Sequence, residues 1–218
     1  MPLPLRIFAA LLLAALVPLA HADPVEYRFT VRVTDILGAG DVTGPVNIPS
    51  GTVALNDVLS GRLWYDAALL TSYEDVGSGP GHIRAWSTST TAYAGIEWRD
   101  AHGALIGPVP LAGSMMMLSD SAPGTSHDFF TIDAHSADGL QYTSVNFIDP
   151  SATAVSSYAL PASLAGFSDV HFDASFWNRD NDETRIVAEL TSLVAVPEPE
   201  QWALLAAGLP LLLRRRAG

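Results

Sequence analysis

The chain has 218 residues, no cysteine, and 23 acidic side chains against 11 basic ones, all arginine, for a formal net charge of −12. Without cysteine there are no disulfides, cysteine–zinc sites, iron–sulfur clusters or thiol nucleophiles. An acidic chain lacking a basic patch is not built to bind nucleic acid, while the length suits one or two domains with a sizeable core. Residues 1–22 read as a secretory signal peptide. Arg6 precedes an apolar run from 7 to 20, and Ala20-His21-Ala22 supplies the small-x-small pattern of a cleavage site, leaving Asp23 as the new N-terminus. The run is shorter than the roughly 20 residues a spanning helix needs, and Pro18 interrupts it.

Residues 23–194 read as one all-β domain, an antiparallel β-sandwich or jelly roll. Alternation of period 2 recurs along the chain, the mark of strands with one buried face. Residues 25–36 carry it most clearly, with Val25, Tyr27, Phe29, Val31 and Val33 on one side and Glu26, Arg28, Thr30, Arg32 and Thr34 on the other. Shorter strands are expected at 59–66, 92–98, 115–118, 128–134 and 142–148. Val170, Phe172, Ala174 and Phe176 then share a face, as do Ile186, Ala188, Leu190 and Val194 in a last strand over 185–196. Turn signals such as Gly77-Ser78-Gly79-Pro80-Gly81 and Ala137-Asp138-Gly139 separate them. About eight strands with short loops make a two-layered antiparallel architecture the natural expectation.

No motif in this body specifies chemistry. His171, Asp173 and Ser175 share one strand face, but such neighbours stand about 6.5–7 Å apart, too far for a relay of hydrogen bonds, and triads are gathered from separate elements. His127-Asp128 and Asp133-x-His135 are the nearest approach to metal-ligand spacing, and solvated loop or edge residues explain them more simply. Asn178, Asp180 and Asp182, with Glu183 beside them, offer the oxygen ligands of a calcium loop. The glycine and distal glutamate of such a loop are missing, and an Asp/Asn-rich turn accounts for the segment equally well. Trp64, Tyr65, Trp86, Trp98 and Trp177 could stack on sugar rings, or form the core of a small sandwich. The run Ser87-Thr88-Ser89-Thr90-Thr91 has no repeat and reads as an exposed strand or loop. No cofactor is expected.

Residues 195–218 have a fixed order: Pro197-Glu198-Pro199, an apolar segment from 202 to 213, and the arginines Arg214, Arg215 and Arg216. The prolines hold the backbone extended and stop the preceding strand. Twelve apolar residues make a helix of about 18 Å at 1.5 Å per residue, short of the roughly 30 Å hydrocarbon core. The arginines act as a positive-inside stop whose long side chains can reach the headgroups. This tail resembles the PEP-CTERM sorting signal of exported proteins in Gram-negative bacteria, with Pro210 inside the apolar segment as a departure. The resemblance implies recognition of Pro197, Glu198 and Pro199 by an exosortase, orientation by the three arginines, and transient membrane tethering before release or transfer to the surface. It further implies association with exopolysaccharide or biofilm matrix. The expected function is that of an exported, non-enzymatic surface or matrix protein; the alternative is a secreted carbohydrate-binding or carbohydrate-active sandwich.

Overall fold

The computed structural model describes residues 24–38, 44–49, 51–78, 81–108, 111–121, 126–180 and 182–197. The signal segment 1–22, the residues Glu198 and Pro199, the apolar segment 202–213 and the arginines Arg214, Arg215 and Arg216 lie outside them. The described residues are all-β and contain no helix. Their strands are β1 (Val25–Leu37), β2 (Val46–Ile48), β3 (Gly51–Val53), β4 (Val58–Tyr65), β5 (Glu74–Val76), β6 (Ile83–Thr88) and β7 (Ala94–Arg99), followed by β8 (Leu105–Gly107), β9 (Leu111–Ser119), β10 (Asp128–Ser136), β11 (Gln141–Asp149), β12 (Asp169–Trp177) and β13 (Glu183–Ala195). β2 and β3 form a separate hairpin. The other eleven make one antiparallel sheet in the order β5-β6-β9-β10-β11-β12-β13-β1-β4-β7-β8.

That sheet cannot be flat. β6 and β7 are each second from an edge, eight strand spacings apart, which at about 4.8 Å per spacing is about 38 Å. Only residues 89–93 join them, and a link of that length reaches about 20 Å at most. The sheet therefore bends back on itself, and its two halves face each other as the layers of a sandwich. Aromatic side chains fill the space between. Tyr65 of β4 meets Phe130 of β10 edge-on at 5.3 Å between centroids, and Phe29 of β1 meets Phe172 of β12 at 5.8 Å. Trp98 of β7 packs edge-on against Phe172 at 5.5 Å and Phe176 at 5.9 Å. Its indole N–H donates to the Thr143 hydroxyl of β11 at 3.0 Å, and the Ser114 hydroxyl of β9 donates to the Ala94 carbonyl of β7 at 3.1 Å. The two-layered packing expected from the strand count is present, but both layers belong to one continuous sheet.

The first and last strands pair at its middle. Two bulges interrupt their register, one at Thr34 of β1 and one at Thr191 of β13. A bulge inserts one residue and so exchanges the faces beyond it. Past Thr34 the inward residue is Ile36. Past Thr191 it is Leu193 that packs on the core, and Val194 is 59 % exposed. The expectation that Val194 shares a face with Ile186 and Ala188 is thereby corrected. Strands β2, β3, β5 and β8, each of three residues, together with β6, raise the number above the eight expected.

Candidate functional site

Among the residues expected to direct sorting, only Pro197 is described. β13 pairs with the start of β1, with Tyr27 opposite Ala195, and the last backbone bond runs from the Val196 N–H to the Glu26 carbonyl at 2.9 Å. Proline has no N–H to continue the ladder, and Pro197 is exposed. The chain thus leaves the sheet at its surface, one residue before Glu198, beside the strand that begins two residues after Asp23.

The segment considered for calcium closes on itself. The Asn178 side-chain carbonyl accepts from the Asp180 N–H at 2.8 Å and the Asp182 N–H at 2.9 Å, while the Asn178 amide donates to the Asp182 carboxylate at 3.0 Å. The Glu183 carboxylate accepts from the Ser175 hydroxyl at 2.6 Å. These bonds are those of an Asx-type turn. Among the described residues, no three His, Cys, Asp or Glu side chains gather as metal ligands.

His171, Asp173 and Ser175 have separate partners. His171 lies 3.1 Å from Asp169, Asp173 is paired with Arg185 at 2.7 Å, and Ser175 is held by Glu183. They form a polar outer face and no relay. Asp128 is fully buried and accepts from the Ser121 and Val155 N–H groups, a loop-fastening role. Of the five aromatics, Tyr65, Trp86 and Trp98 build the core, Trp64 is buried on the outer face beneath Arg62, and Trp177 is half-buried. The fold does gather arginines that the sequence scatters: Arg28, Arg62 and Arg99 border one shallow groove with Glu97. Arg62 is bound to Glu97 at 3.0 Å and stands 4.5 Å over the Trp64 ring.

Sequence reasoning gave Asp133 no role beyond metal-like spacing with His135. In β10, Phe130, Ile132 and Ala134 point into the core, so by strand alternation Asp133 and His135 point outward. Asp133 faces Met115 of β9 and Ser144 of β11, and His135 faces Gly113 and Tyr142. An outward aspartate is ordinarily wet, yet Asp133 is 3 % exposed. Neither carboxylate oxygen has a hydrogen-bond partner among the described residues. Burial pushes its carboxyl above the usual carboxylate range, an effect that the nearby Ser144 and Tyr142 hydroxyls ease. Burial likewise raises the Tyr142 phenol, and the Asp133 charge adds to the shift. Asp133 stands in a groove of about 420 Å³ between the 87–89 segment and Tyr142. Gly113 forms part of its wall, where a β-carbon would lie 2.9 Å from the His135 ring and 2.8 Å from the Thr88 carbonyl.

Comparison with protein-family models, with curated proteins and with solved structures finds no match for this chain.

Proposed function

We propose that this is an exported, non-enzymatic protein of the cell surface or extracellular matrix, delivered by a signal peptide and sorted by an exosortase through its PEP-CTERM tail. One observation carries the reading: the domain's last strand ends at Ala195, and the Pro-Glu-Pro motif begins two residues later at the exposed Pro197. Cleavage there would remove none of the described strands from the sheet. The two processing points, after Ala22 and near Pro199, would lie next to the paired outer ends of β1 and β13. In this reading the tail's apolar segment holds the protein briefly at the inner membrane, and the mature domain works outside, in association with polysaccharide.

Intact mass of the protein recovered from the outer fractions of an exosortase-bearing Gram-negative host tests it. A mass beginning at Asp23 and ending near the Pro-Glu-Pro motif is expected, with any excess reporting attached glycan or lipid. A mature chain ending at Gly218 would overturn the sorting role of the tail.

A further inference from the structure

The groove over Asp133 has the chemistry of a ligand site. An ionised carboxylate only accepts hydrogen bonds, and a buried one without partners costs free energy that a fold retains only where something else depends on it. Around it stand His135 on its own strand, Gly113 and Met115 on β9, Ser87 on β6, and Tyr142 and Ser144 on β11. None of these is an arginine. The next charged side chain across the face, Asp173, is already paired with Arg185. The groove therefore holds a negative charge with no cation beside it, eased only by the Ser144 and Tyr142 hydroxyls, and apolar surface from Met115 and the Tyr142 ring.

A metal ion fits this set poorly, because one carboxylate and one imidazole fall short of the ligand count that hard cations need. A neutral polyol would leave the charge unanswered. A nitrogen cation answers it with charge-assisted bonds and can lay its carbon skeleton on Met115 and the Tyr142 ring. The chain's net charge of −12 draws such cations in. We propose that this groove binds a primary ammonium group, with Asp133 as its counter-ion. His135 is the movable cover. It is exposed and rests its ring in the space that Gly113 leaves free. The inference is independent of how the tail is processed.

Calorimetric titration of the mature chain tests it, using propylammonium, glucosamine and glucose at a pH where both amines are protonated. Both amines are expected to bind in the millimolar range or better, and glucose at least tenfold more weakly. Asp133→Asn should reduce amine binding at least tenfold, and acidification that protonates Asp133 should do the same in the unaltered chain. Binding of glucosamine without propylammonium would support the site and assign it to amino sugars. Glucose binding as well as glucosamine, amine binding that survives Asp133→Asn, or no binding of either amine would overturn it. Thermal unfolding of the variant shows that it is folded, since the substitution removes a buried charge.

Discussion

Asp133 and Asp149 lie on neighbouring strands, and their surroundings move them in opposite directions. Asp149 ends β11 and accepts from the Ser151 hydroxyl and from the N–H groups of Thr153 and Ser151, which hold its carboxyl well below the usual range. Asp133 has no backbone N–H donors of that kind, and burial pushes it up more than the nearby Ser144 and Tyr142 hydroxyls ease it. An acid whose folded pKa stands above its unfolded one binds its proton longer in the native state, so stability falls as pH rises between the two. The penalty is absent below the ordinary aspartate value of about 3.9 and complete above the raised folded value. Asp133→Asn keeps the shape and removes the charge. In urea unfolding across a pH series, the variant should be the more stable by about 1–3 kcal/mol near neutrality, with the gap closing on acidification. A gap that does not change with pH, or a less stable variant at neutral pH, would mean that the carboxylate is well solvated in the native state.

At the scale of elements, what could be read in advance depended on length and regularity. β1, β12 and the first part of β13 were legible because alternation over several residues leaves little room for another period, and β10 and β11 only as shorter stretches of the same kind. Their faces were legible only as far as the bulges, since Thr191 looks like any strand threonine and its doubling appears only against β1. β2, β3, β5 and β8 were not legible, because three residues carry no period and gain strand geometry from partners elsewhere in the chain. The same holds for the groove. The outward direction of Asp133 follows from its neighbours in β10, but the groove it stands in is walled by Met115 of β9, Tyr142 of β11 and the 87–89 segment, the last some 45 residues away in the chain. Part of the threonine and serine run that looked like bland surface lines one side of that groove.

For the whole molecule, the bend of the sheet rests on side chains that cross from β7 to β11 and β12. Trp98 is the largest of them, fully buried, with its N–H on a Thr143 hydroxyl that is itself buried. Trp98→Phe keeps much of the ring packing but strands that hydroxyl, and should cost about 1–3 kcal/mol. Trp98→Ala also opens a cavity between the layers and should cost about 3–5 kcal/mol. Urea midpoints at an unchanged denaturant slope check both. Equal losses for the two variants would mean that the indole N–H carries the contribution and the ring volume does not.

The position of β13 between β12 and β1 has a mechanical consequence. Ladder hydrogen bonds lie perpendicular to antiparallel strands, so tension applied through the tail along β13 loads the bonds to both neighbours together. Tension between the two chain ends instead opens the β1–β13 seam from Tyr27 and Ala195, one pair at a time. Single-molecule pulling should therefore find a higher unfolding force with handles on the tail and the 137–139 turn than with handles on both ends. The reverse order would mean that the seam does not bear the load. A domain held only by its tail would be held along its stronger direction.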